Sequence, residues 1–393
     1  MNISAIKSQQ VSFGKKEEAQ KEPHFRNKGF IRGSISKQIA AVPFSFASLG
    51  IVSAMIKNSK LGKEDIITIK KAAAKAVTQS GLKDTGLKVR YVDKVNIPLT
   101  PEGIKKHAAS AIESAMKDAD VESGDFTKSL MGIFDKIFGI TNKKKDQQAL
   151  AVIAEEMEKS KSGRISKFFD NYLKRILSKA ENSEQMTKMM EEIGKRAQFM
   201  QFKLGMNSAY FPKANKILVS EQTLSTSVFH EIGHALNNNF SKIGKVLQKM
   251  RPVALVAVPI ISLLALTTKR RVEDKPKDRK INNGLDFIKR NAGQLTLLAF
   301  APMVIEEAMA TIKGNGLAKN LLADAPKLLK KVKVGNALGL ASYTLAAIGS
   351  AIALKSGIKA KDKIQQRYEL KKMAKFEAKQ AKLAAKAAQT PEA

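Results

Sequence analysis

What most limits the fold of this chain is the length of its uncharged stretches. Residues 334–354 (VGNALGLASYTLAAIGSAIAL) contain no charged side chain, and about 20 predominantly apolar residues suffice for a helix to cross a bilayer. Residues 252–268 lie near the lower limit of roughly 17. They are bracketed by Lys249 and Arg251 on one side and a Lys-Arg-Arg run on the other, as membrane anchors often are. Further uncharged stretches occupy 38–56 and 291–305. The first carries a proline and several serines, and suits a buried or interfacial helix as well as a span. The alternative for all four is a large hydrophobic helical core. The rest of the chain is strongly polar and the apolar runs concentrate after residue 250, which favours membrane insertion. Gly335 and Gly339 have the small-xxx-small spacing that lets a neighbouring helix approach closely.

Charge supports an anionic partner. Lys and Arg outnumber Asp and Glu by 69 to 36, a formal net charge of +33, and such an excess points to nucleic acid or to an anionic membrane surface. There is no Trp and there are five Tyr, with no glycine-rich phosphate loop and no recognisable nucleic-acid module, so no nucleic acid is expected and membrane lipid is the favoured partner. The absence of cysteine excludes disulfides, thiolate metal sites and thiol nucleophiles. Any metal must therefore use His and carboxylate.

The composition divides the chain into a polar leader over 1–30, expected to be disordered, and an apolar N-terminal helix over 31–60. A helical and small-sheet region follows over 61–250, then a membrane-helix region over 251–355 and a basic helical tail over 356–393. The expected class is α+β, predominantly helical, with multiple membrane passes. Helical spacing marks 63–80, 104–119, 145–160, 164–180 and 184–203. Alternation predicts a strand at 87–92 (LKVRYV), and 209–220 (AYFPKANKILVS) reads as a hairpin turning at Pro-Lys-Ala-Asn. A small antiparallel sheet is expected. The Lys- and Ala-rich tail suits a solvated helix, with an anionic membrane surface as the alternative.

The chemistry concentrates at 227–239 (SVFHEIGHALNNN). His230 and His234 lie roughly 40° apart on one helix face, close enough for both imidazoles to reach one metal ion. Leu224, Val228, Ile232 and Leu236 fall on the opposite side and predict a separate apolar stripe. Glu231 lies between the two faces, where a carboxylate reaches the water beside a metal without ligating it, the position of a general base. Gly233 permits a neighbouring element to approach closely. Zinc suits this set, since three protein ligands leave a fourth position open. Upstream, Ile217, Leu218 and Val219 form a candidate edge strand that could receive an extended substrate by strand addition.

A third ligand is needed. His24 in the leader and His107 on a charged helix suit solvated surface positions better. Glu306 and Glu307 in VIEEAMATIKG end an otherwise apolar run, and buried acids are costly unless paired or metal-bound. Both qualify. Asn237 lies beside the histidines on the wheel, and a helix cap explains it equally well.

These motifs resemble the gluzincins, metallopeptidases in which HExxH supplies two ligands and a base and a downstream helix supplies a Glu. The similarity is greatest to their membrane-embedded group, which includes the CAAX prenyl proteases and heat-shock quality-control proteases, and it covers roughly 205–315. The third-ligand motif of that group is commonly Glu-x-x-Ala-Asp. Glu307 and Ala310 match it, whereas Thr311 replaces the Asp. The resemblance implies Glu307 as the ligand, Glu306 as a neighbour that orients a ligand or binds substrate, and a site facing the cytoplasm. The expectation is a membrane-associated zinc endopeptidase acting on a peptide or membrane-protein substrate. The rival is a non-catalytic membrane or scaffold protein that retains the metal site.

Overall fold

The computed structural model describes residues 61–95, 143–160, 183–268 and 279–388, with scattered positions between 110 and 141. The expected leader and N-terminal apolar helix, the helix at 164–180, all of the helix at 104–119 but positions 110 and 113, and His24 and His107 lie outside the described residues. Among the described residues the chain is mostly helical, with one three-stranded sheet and three helices long and apolar enough to cross a membrane.

Helix α1, Lys63–Gln79, buries Ile69, Ala72, Ala73, Ala76 and Val77, the i, i+3, i+4, i+7 pattern of a single apolar face. Glu64 and Asp65 occupy its first turn, where carboxylates oppose the positive end of the helix dipole. Gly81 ends the helix at φ 73°, a left-handed conformation that costs glycine little. Strand β1 is Lys88–Val92. Helices α2, Lys144–Ser160, and α3, Ser183–Lys203, follow. The hairpin comprises β2, Ser208–Phe211, and β3, Lys216–Ser220. Asn215 turns it at φ 49°. There the Asn215 side chain accepts from the Tyr210 hydroxyl at 2.9 Å and donates to the Thr85 carbonyl at 2.8 Å, tying the turn to the loop before β1.

The sheet order is β1-β3-β2, with β1 parallel and β2 antiparallel to β3. Two expectations change. The sheet is mixed rather than antiparallel. Strand β3 is central, so the backbone of Ile217, Leu218 and Val219 is paired on both sides and cannot accept a substrate strand; all three side chains are buried in the core. The free edge on the hairpin side is that of β2, which has no further strand partner among the described residues.

After β3, a short helix α4, Glu221–Leu224, and a single 3-10 turn lead into α5, Val228–Phe240, which carries the histidines. Leu224 thus precedes that helix and does not belong to its stripe. Val228, Phe229, Ile232 and Ala235 take that role in a core that also holds Ile69 of α1, Ile217 and Val219 of β3, and Val332, with Leu236 packed against it. The membrane-length helices are α6, Lys242–Thr267, α8, Ala292–Leu321, and α9, Pro326–Ala388; amphipathic α7, Arg279–Arg290, lies between α6 and α8. The compositional boundaries at 250/251 and 355/356 fall inside α6 and α9.

Candidate metal centre

Helices α5 and α8 cross at almost direct backbone contact. A methyl group placed on Gly233 would lie 2.1 Å from the Ala310 carbonyl oxygen, and one on Gly314 would lie 2.4 Å from that of Phe229. Both distances are below any tolerable separation, so the crossing requires glycine on each helix. The close approach expected at Gly233 is present, and α8 is the neighbour. It brings the acids of α8 against the histidines of α5.

His230 Nε2 lies 2.9 Å from Glu307 Oε2 and 3.0 Å from His234 Nε2, and His234 Nε2 lies 3.5 Å from Glu307 Oε2. The outward atom of each group is held by a different neighbour. His234 Nδ1 donates to Glu306 Oε1 at 2.8 Å, His230 Nδ1 is 3.2 Å from Thr311 Oγ1, and Arg251 donates through Nη2 to Glu307 Oε1 at 2.5 Å. Such outer partners fix ring orientation and tautomer in metal sites. With Nδ1 of each ring engaged outward, two imidazole lone pairs and one carboxylate oxygen converge on a common point. That arrangement is repulsive unless a proton or a cation sits among them.

His230, His234 and Glu307, all buried, could hold a metal ion. Bonds of about 2.0–2.1 Å at a tetrahedral centre put ligand atoms about 3.3 Å apart, and the three separations here bracket that value. Charge agrees. Glu231, Glu306 and Glu307 are buried, and Arg251 is the cation that contacts the pair on α8. With neutral imidazoles these groups leave two negative charges, which one divalent cation neutralises.

Glu306 does not belong to the ligand triangle. Its Oε1 also accepts from Asn237 at 3.0 Å and from Gln248 at 2.8 Å, and its Oε2 from Arg251 at 3.1 Å. It braces His234. Asn237 is fully buried and braces Glu306 in turn, so it is not a cap. Thr311 stands behind His230 with a hydroxyl where a carboxylate was expected. Glu231 is buried, makes no hydrogen bond or ion pair within the ligand triangle, and opens onto a cavity of about 440 Å³ with His230 and His234. Burial raises its pKa, with the neighbouring histidines opposing, as suits a proton acceptor at neutral pH. Burial would lower the pKa of His234, but the carboxylates of Glu307 and Glu306 reverse this and raise it to about 10.

The cavity is also lined by Ser208, Ala209 and Tyr210 of β2, by Arg251, and by Gly335, Asn336, Gly339 and Tyr343 of α9. The two glycines on α9 thus make room beside the site. Sequence reasoning missed Gln248, Arg251 and Tyr343. Arg251 was read only as a membrane anchor, and its spacing of three from Gln248 was the available signal that both share a face. The Arg251 guanidinium sits 5.7 Å from the Tyr343 ring centroid. No family model, curated protein or solved structure matches the chain.

Proposed function

We propose that the chain is a membrane-embedded zinc endopeptidase of gluzincin type, with His230, His234 and Glu307 as ligands and Glu231 as general base. The observation that carries this reading is the triangle of inward-facing donor atoms, whose spacing suits a tetrahedral ion and whose outward atoms are each braced. When bound, zinc supplies a Lewis acid and makes nearby water more acidic. Glu231 then accepts the proton of the attacking water and returns it to the leaving amine. The low exposure of Glu231 excludes bulk water and keeps its carboxylate basic.

The unpaired edge of β2 offers the substrate a place to add as a strand, since Ser208, Ala209 and Tyr210 both belong to that edge and line the cavity. It replaces Ile217, Leu218 and Val219 in that role. What supports a site close to one membrane surface is distance along the helices. At about 1.5 Å per residue, Arg251 is roughly 24 Å from the far end of α6 and Glu306 roughly 21 Å from the start of α8, against a hydrocarbon core of about 30 Å.

The test is Glu231→Gln in the purified full chain, with zinc content by mass spectrometry and cleavage of an unfolded protein substrate measured together. The expected result is one zinc per chain in parent and variant, with hydrolysis falling by about 10²–10⁴-fold. Full hydrolysis by the variant would remove the base role, and a parent without zinc would remove the metal reading. Bound zinc with no hydrolysis in the parent would favour the non-catalytic alternative.

A further inference from the structure

Near the start of α8 and midway along α9 is a second cavity, of about 380 Å³, with Asp286, Lys289 and Arg290 of α7, Gly293 of α8, and Lys355, Lys359 and Asp362 of α9 in its wall. Its floor is apolar: Ala265 of α6, Ala292 of α8, and Leu354 and Ile358 of α9 pack into one cluster beneath it. Helices α8 and α9 are close here, since a methyl on Gly293 would meet the Ala351 carbonyl oxygen at 3.4 Å.

The cations in this wall are not equally committed. Lys289 is largely buried and pairs with Asp362 at 2.7 Å. Lys355 and Lys359, one helical turn apart, and Arg290 are exposed, and no carboxylate among the described residues lies within ion-pair distance of any of the three. Four cations share this wall with two carboxylates, Asp286 and Asp362, an excess of two positive charges that attracts an anion. Toward the helix middles the surface changes character. Leu263, Leu297, Leu298, Ile348 and Ile352 are large apolar side chains exposed on the same three helices. An excess of cations bordering an exposed apolar surface complements the two parts of an anionic phospholipid.

We infer that this cavity binds the phosphate headgroup of an anionic membrane phospholipid, with Lys355, Lys359 and Arg290 on the headgroup and the acyl chains along the apolar wall. Basic pockets between membrane helices take anionic headgroups in this way. The inference rests on the three helices being embedded in a bilayer, and is independent of zinc and of hydrolysis.

The test uses the full chain in nanodiscs of phosphatidylcholine doped with phosphatidylglycerol. Lipid retained on release into the gas phase is counted by native mass spectrometry, and bilayer integration is checked separately by resistance to alkaline extraction. The parent should retain phosphatidylglycerol in preference to phosphatidylcholine. Lys355→Gln/Lys359→Gln should weaken that preference by about 30-fold, from roughly fivefold per cation at an anionic surface. Lys371→Gln/Lys375→Gln, farther along α9, should leave it nearly unchanged. Equal loss in both double variants would overturn the cavity in favour of diffuse surface charge. Displacement of the lipid by inorganic phosphate at millimolar concentration would identify free phosphate as the ligand, and overturn the lipid assignment. Integration without any preference would overturn the cavity and leave the membrane reading standing, whereas failure to integrate would overturn both.

Discussion

Two buried clusters of charge in this protein have opposite characters. Asp146 of α2 and Lys203 of α3 are 5% and 6% exposed. The ammonium donates to Asp146 Oδ2 at 3.1 Å, and the same oxygen accepts from the backbone and hydroxyl of Thr141 at 3.0 and 3.1 Å. One positive charge meets one negative charge, and the cluster is complete. At the α5–α8 crossing three carboxylates meet one guanidinium, and the best-aligned electron pairs point at each other. Burial is similar in the two places. What separates a self-contained ion pair from a candidate ligand site is therefore whether the protein's own charges and donors balance.

The largest expected effect tests the balanced side. Lys203→Met strands the Asp146 carboxylate in the core and should cost about 3–5 kcal/mol in chemical unfolding. Replacing both partners by apolar residues of similar size should cost little or even stabilise. If the single and double variants are equally destabilised, the pair is not the self-contained unit described here. On the unbalanced side the isosteric Glu307→Gln should lower zinc affinity by more than about 100-fold, beyond what loss of an outer partner typically causes. The metal-free variant should also be less stable than the parent near neutral pH, because Glu307 pairs with Arg251 and helps hold a proton on His234. Competition with a chelator and thermal unfolding check the two halves.

The smallest effect follows from His234. Its pKa in the folded, metal-free protein is raised from 6.5 to about 10. Protonation there contributes stability that is fully present below about pH 6.5 and is lost as pH rises toward 10. The melting temperature of the metal-free chain should fall across that window. Saturating zinc displaces the proton, so the fall should be absent in the loaded protein. A pH-independent metal-free melting temperature would mean that the carboxylates do not hold a proton on His234.

Local features were legible in the sequence and long-range ones were not. The apolar spacing of α1, the hairpin turn at Asn215 and the shared face of His230 and His234 all depend on residues a few positions apart. Glu307 was reachable because a carboxylate ending an apolar run needs a partner, and because its surroundings resemble a known motif. The central place of β3 was not, since it is created by parallel pairing with β1, more than a hundred residues upstream. An apolar strand carries no mark of how many neighbours it has. Arg251 was hidden for a different reason: a basic residue at the start of an apolar run satisfies the anchoring rule, so nothing in the run asks for a second role. Thr311 looked like a departure from the motif, and only its position 3.2 Å from His230 Nδ1 gives it work to do.

The paired glycine contacts at the crossing also decide how rigidly the donor atoms are held. Because Gly233 meets Ala310 and Gly314 meets Phe229 through main-chain atoms, no side-chain rotation can spread the two helices that carry the donors. An ion entering or leaving through the adjoining cavity would find the same donor spacing on either side of the event. The seam makes the centre a preorganised one: its geometry is set by main-chain contact and does not wait for an ion to assemble it.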